Sequence, residues 1–555
     1  MNTINCFRSI LITGIILVAS FTLLMAQEEE DKKIYRETVD VVRAYMPKIT
    51  DALKLDVVPV GERIDIVKPE ITYTARATLI KVETTKTDKI PPVVLIKSQQ
   101  KDLNRAYIKA GYGNYNNIFA EGYYNTINLR DKSFAAHVLH HSGRETPKYT
   151  NISQQYAQLT GSQTFNGKTL SARAFIDNNR LHYYGFADTN VDHDTVTAQF
   201  FRQNFLLSGF DAGFTNKFDK RSKINFDIDA GLYNFNDYNR LHETGISVKG
   251  KIQQDFYNNP ISFEAIFNHY IINSVPNYNR NVFDIRARYH FIRDDWNIEA
   301  GFDAPTQSDS VESRTHFYPI IKAQAKLVNK YIYGFAAISG GLEINNYRSL
   351  AYENPYIVSD FILKNTNNKF VFSTGFKGNI ADKAGYILSY SFHDVEDLLM
   401  FANDTVTDYR FIAYYDSGST QINKLQGEIM FNPLADLQIY FGTNYFFYKQ
   451  NDTTSYPWHL PVFDLKTSIK YSLQNKVYLT IDYFLIGKRK TLDLKENKML
   501  DLKEIHDLNA GITYNFSNKY GIFFNFNNIL NTKYSYWNQY QLRGFHFMAG
   551  LKGSF

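Results

Sequence analysis

The chain has 555 residues, a formal net charge of +5, and 41 Tyr and 43 Phe beside only three Trp. So mild a charge argues against nucleic-acid binding, which needs a focused basic patch or stripe. A negative mean hydropathy beside so many aromatics argues against a helical membrane protein and fits apolar residues interleaved with polar ones.

Residues 1–26 have the layout of a secretory leader: Arg8 in a short basic region, an apolar run from Ile10 to Leu24, then Ala26 before Gln27. Cleavage is expected between Ala26 and Gln27. The apolar run, about 15 residues, is short of the roughly 20 that a spanning helix needs. Cys6 is the single cysteine and leaves with the leader, so the mature chain has no disulfide or thiolate metal site. No other apolar stretch is long enough to span as a helix. Membrane entry then requires a closed barrel, because lipid cannot satisfy open sheet edges.

Residues 27–104 hold five of the 14 prolines (Pro47, Pro59, Pro69, Pro91, Pro92) and open with a charged run from Glu28 to Lys33. They read as a short irregular periplasmic arm, with one short helix over Met46–Leu55. From residue 105 to 555 the pattern becomes period-two alternation. Ile224-Asn225-Phe226-Asp227-Ile228-Asp229-Ala230 is typical, and Val477–Tyr483 and Leu508–Phe516 repeat it. Successive strand side chains point to opposite faces, so each segment has an apolar face and a polar one. Repeated over most of the chain, this gives far more apolar face than a small sandwich core needs.

Ten tight polar turns punctuate this zone, at 131–132, 166–167, 218–220, 258–260, 294–295, 329–330, 381–383, 432–436, 474–476 and 517–519. Asn166-Gly167 is the strongest, because both residues tolerate the positive φ of a type I′ hairpin turn. Longer segments alternate with these turns, as external loops alternate with periplasmic turns in outer-membrane barrels. The fold class is therefore all-β: a transmembrane antiparallel up-and-down barrel of about 22 strands. Residues 396–420 are open between a long loop and two extra short strands. Of the prolines after residue 104, only Pro319 is expected inside a strand. Trp296 and the strand-end tyrosines suit interfacial girdles.

The end of the chain resembles TonB-dependent receptors. Asn528-Ile529-Leu530-Asn531-Thr532-Lys533-Tyr534 is similar to a stretch in that family's penultimate region, with Asn528, Leu530, Asn531 and Tyr534 at the matching positions. Tyr536, Trp537 and Tyr540, then Arg543-Gly544 and a terminal strand, follow in the family's order. Phe545, Phe547, Leu551 and Phe555 share one face of that strand and resemble the signal read by the barrel-insertion machinery. The resemblance implies a 22-strand solute transporter. It fails upstream, where the 78 residues of 27–104 are too few for the family's globular plug. A plugless member is expected.

Barrel geometry makes that gap matter. With strands about 4.8 Å apart and tilted about 40°, such a barrel has a radius of roughly 20 Å. Its lumen calls for a filling: the arm, infolded loops or a partner protein.

Local chemistry is sparse. His137 and His141 fall on one strand face, about 13 Å apart, and His140 faces away, so one strand cannot bring all three to one ion. Asp192-His193-Asp194 reads as a solvated loop. Neither a Gly-rich phosphate loop nor H-E-x-x-H occurs. No cofactor, metal or catalytic residue is expected, and the protein is not expected to be an enzyme. The expected partners are outer-membrane lipid, the insertion machinery and a protein or lipoprotein at the lumen or loops, with no nucleic acid. The leading functional expectation is a solute channel or transporter component in the outer membrane, its arm and C-terminus periplasmic. The alternative is a non-transporting subunit of an outer-membrane complex.

Overall fold

The computed structural model describes residues 104–555 apart from 127–130, 145–149, 186–200, 217–223, 258, 275–276, 310–312, 329–330, 381–382, 408, 417, 452–455 and 494–497. Twenty-two antiparallel strands run in sequence order from Ala106–Gly113 to His546–Ser554, each paired with the next. The ring closes where these two pair, from Tyr107↔Ser554 to Gly113↔Met548. The Phe555 N–H donates to the Ala106 carbonyl at 2.8 Å, and the Ala106 N–H returns to the Phe555 carbonyl at 2.9 Å. No strand of the ring is left with an open edge, as a lipid phase requires.

The first strand begins and the last ends at the same rim, where the connections are short. There Asn166 and Gly167 have φ of 49° and 75° between the paired residues Phe165 and Lys168. The expected type I′ turn is present. Gln474 and Asn475, at φ of 48° and 57°, make another tight reversal. The turns at 218–220 and 329–330 and the Asp192-His193-Asp194 segment lie outside the described residues. At the opposite rim the connections are mostly longer, and five of them matter below: 344–365, 397–418, 450–462, 487–504 and 528–545.

Alternation sorts the two faces. On Ile224–Asn236, Ile224, Ile228 and Leu232 stand on the outside, each nearly half exposed. Asp227 and Asp229 take the inner face, on the side of Lys249. Around the ring the outside forms an apolar belt with Phe165, Phe256, Trp296, Phe516, Tyr520 and Phe555 exposed near the turn rim. That is the outer-membrane arrangement.

Segment 397–418 is a loop carrying a short hairpin, Leu399–Asn403 with Phe411–Tyr415, separate from the ring. The proline expectation needs correcting at one position: Pro305 also lies inside a strand, Trp296–Ser308, whereas Pro260 and Pro433 lie at strand ends as expected. The Pro305 carbonyl accepts the His316 N–H at 2.9 Å, so its nitrogen faces the same side. The pairing on that side continues in one register from Asp303↔Tyr318 to Thr306↔Thr315. Opposite Pro305 the ladder lacks one donor, and the regular strand breaks at 316–317. The expected leader, the Ala26–Gln27 cleavage site, the arm with its short helix, and the expectation that no plug precedes the barrel all fall on residues outside those described.

Candidate functional site

The lumen is spanned at its loop rim by a cap built from the five long connections. Its centre is a helix, Tyr347–Glu353. Asn346 caps it by accepting the Ser349 N–H at 2.8 Å, while the Ser349 hydroxyl oxygen accepts the Asn346 N–H at 3.2 Å. Pro355 follows the C-cap Asn354 and cannot continue the helix. The wall then grips the helix. Glu243, fully buried on His242–Phe256, accepts the N–H of Tyr347 at 2.7 Å and of Arg348 at 3.3 Å. A carboxylate on the first free N–H groups of a helix also meets the positive end of its dipole. The Tyr347 hydroxyl donates to Asp237 at 2.9 Å, and that of Tyr352 to Asp177 at 2.8 Å. Arg280 reaches across to the Asn345 carbonyl and the Asn365 side chain.

The remaining connections dock on this one. Ile357 bridges Phe411 in parallel, Asn403 pairs with Asp493, and Trp458 bridges Lys490. Tyr540 stacks on Tyr356 and hydrogen-bonds the Tyr409 carbonyl. Trp458 belongs to a second cluster with Met400 and Phe446, whereas most of the buried apolar residues so assembled form one that includes Ile272 and Ile486. Their strands are ninth and nineteenth in the ring of 22, so the cluster joins opposite walls. The cap crosses the mouth of the lumen.

His459 sits where four connections meet. Its Nδ1–H donates to the Phe401 carbonyl at 2.9 Å, and its Nε2 accepts the Asn538 N–H at 3.4 Å. Its own N–H donates to the Lys490 carbonyl at 2.7 Å. Phe411 and Trp537 pack on the ring at 5.4 and 5.1 Å. These bonds require the neutral tautomer. Burial, together with the charge of Arg489, pushes His459 down to about 3. Arg489 is itself buried and donates to the carbonyls of Tyr536 at 2.6 Å and Ser535 at 2.9 Å. Among the described residues it has no carboxylate partner, and its Nε is unsatisfied. Desolvation lowers it to about 10.

Elsewhere in the ring, the inner wall from His242–Phe256 to Tyr318–Val328 carries a charge lattice. Arg286 contacts Asp284 at 2.7 Å, Glu264 at 3.5 Å and Asp303 at 3.7 Å. Arg288 joins Glu299 at 3.2 Å, and Lys322 joins the same carboxylate at 3.4 Å. Cations and carboxylates alternate, so the wall is polar without a dominant sign. His137 and His141 both face inward but serve different partners, Glu121 at 3.0 Å and Asn117 at 2.8 Å. His140 bonds Ser142 instead.

Three of the four motif residues meet at the loop rim. Asn528, at φ 47°, donates to the carbonyls of Thr532 and Arg543 at 2.9 Å each and accepts the Thr532 N–H at 3.1 Å. Asn531, at φ 50°, accepts the Phe545 N–H at 2.9 Å. The Tyr534 hydroxyl donates to Asp507 at 2.7 Å. The motif therefore folds 528–545 back over the mouth, which delivers Tyr536, Trp537 and Tyr540 to the cap. Leu530 is apart and exposed. Phe545, Phe547, Leu551 and Phe555 line the outer face of the last strand, all exposed. His459, Arg489, Tyr347 and Glu243 carry no local sequence signal of their roles.

No family model and no curated protein matches the chain. Solved structures match its fold. The FrpB iron transporter of Neisseria meningitidis (F5-1 variant) aligns with a TM-score of 0.65 at 10% identity, over 82% of this chain and 83% of that one. The siderophore receptor PirA of Acinetobacter baumannii gives 0.64 at 9%, over 82% and 81%. The ferric-catecholate import receptor Fiu of Escherichia coli K12 gives 0.62 at 10%, over 82% of each chain. At such identities the likeness is one of fold.

Proposed function

We propose that this chain is an outer-membrane transporter on the plan of the TonB-dependent receptors, with its external mouth shut by its own loops and opened only when the cap moves. The observation that carries this reading is the buried cluster joining Ile272 to Ile486 across the ring. A steadily open pore needs a clear mouth, and a packed aromatic core there does not conduct. The long connections are taken as external and the short turns as periplasmic, as in bacterial barrels generally. The 78 residues of 27–104 support a member without the family's plug, so the cap takes over part of the closure. Phe545, Phe547, Leu551 and Phe555 are assigned to recognition by the insertion machinery. The neighbours' names as transporters and receptors support a carrier over an enzyme and make iron and ferric chelates the first solutes to assay.

Planar-bilayer recording tests this. The purified protein is expected to show no steady large conductance, and replacing 346–362 with a short Gly-Ser linker is expected to produce it. Steady large conductance from the unmodified protein would refute a closed mouth. The same cap also suits a non-transporting subunit that presents its loops to partners. A linker variant that stays silent, in a barrel that co-purifies with fixed partners, would favour that second reading.

A further inference from the structure

We infer that His459 is an acid-sensitive latch of the cap, holding four connections closed while its ring is neutral and releasing them when it gains a proton. This rests on the capped-mouth reading above.

The geometry makes neutrality a condition of closure. Nε2 accepts the Asn538 N–H from 528–545, and a protonated ring turns that acceptor into a second donor facing a donor. Nδ1 is already committed to the Phe401 carbonyl of 397–418. Among the described residues, segment 397–418 offers the ring that carbonyl and the Phe411 phenyl, and 528–545 the Asn538 N–H and the Trp537 indole. The charged group facing it comes from 487–504 and has the wrong sign: Arg489, buried and without a carboxylate partner among the described residues. Lys490 contributes its carbonyl, and its ammonium lies over Tyr456 instead. Two adjacent buried cations with no counter-ion are not tolerated. The escape is to hydrate one of them, which means opening the cap.

The sign follows from linkage. The ring's pKa in the closed cap lies well below that of an open, hydrated ring. The closed form is therefore fully favoured above about 6.5, and its ratio to the open form falls by about tenfold per pH unit below that value, until the closed-form pKa is reached. The barrel itself stays intact, because its ladder does not involve this ring.

The tryptophans provide a readout. The protein has three. Trp458 and Trp537 are buried in the cap, Trp537 against His459 itself, while Trp296 is exposed on the outer face. In a Trp296→Phe background, acrylamide quenching reports cap opening directly. Low quenching at pH 7.5 is expected to rise several-fold by pH 4.5, with the barrel still resisting unfolding in cold SDS. His459→Gln keeps a neutral donor and acceptor and is expected to stay low at both pH values. Arg489→Gln removes the neighbouring cation, so a protonated ring is better tolerated in the closed cap. The rise in quenching by pH 4.5 is then expected to shrink, which keeps the test decisive if His459→Gln does not fold. Low quenching throughout the range would overturn the latch and leave the closed mouth standing. So would a His459→Gln response equal to that of the parent. High quenching already at pH 7.5 would instead overturn the closed mouth.

Discussion

Replacing Tyr347 with Phe removes one oxygen from the cap and leaves the ring in place. That hydroxyl donates to Asp237 at 2.9 Å, and the ring packs between Phe235 and Phe361, each at 5.9 Å. A hydrogen bond to a charged group contributes about 1.5–3 kcal/mol net. Asp237 keeps the Leu241 N–H at 2.8 Å and the Ser359 hydroxyl, so its carboxylate is not orphaned. The lower figure, about 1.5 kcal/mol, therefore applies. Because that energy acts on detachment of the helix, amides of Tyr347–Glu353 should exchange with solvent about tenfold faster. Strand amides of the ring should not change. Hydrogen–deuterium exchange read peptide by peptide checks this. Unchanged exchange in 344–365 would refute the anchor, and acceleration spread over the whole barrel would refute the separation of cap from wall.

Glu243→Gln discards the charge that meets the helix N-terminus and leaves one acceptor where two oxygens now accept the Tyr347 and Arg348 N–H groups, at a cost of about 1–3 kcal/mol; the same exchange assay should show an acceleration at least as large as that of Tyr347→Phe. Asn528→Ala removes the bonds to Thr532 and Arg543 and puts alanine, less tolerant of the left-handed region than asparagine, at φ 47°. It should loosen 528–545 by about 2–3 kcal/mol, seen as new protease cuts there, whereas Leu530→Ala, at an exposed site, should leave the loop intact. Phe555→Ala should lower the yield of assembled barrel in cells while the refolded protein keeps its resistance to SDS. Equal losses in both would mean that the ring serves stability instead of recognition.

How far the sequence reached can be judged residue by residue. Asn166-Gly167 and Gln474-Asn475 announce their turns because backbone geometry at a tight reversal depends on the residues that occupy it. Ile224 to Leu232 announce their faces because strand side chains alternate whatever the neighbouring strand is. Strand count, direction and the polarity of both faces are therefore local properties, and they were legible. Segment 397–418 was legible only as an alternative, since its short hairpin has the composition of a ring strand without the length.

The cap was not legible. Its parts carry no periodicity, and Glu243 and Tyr347 lie 104 positions apart. His459 reads as one histidine among 13, and Arg489 as a surface cation, until ring closure brings their segments together. The Asn528–Tyr534 motif marks the border between these two kinds of information. Its residue types identify a resemblance from sequence alone, yet its physical role, folding an aromatic segment back across the mouth, exists only once the first and last strands have met. A β-barrel's wall is decided by contacts between consecutive strands. What spans its lumen is decided by contacts between opposite ones, which only the closed ring creates.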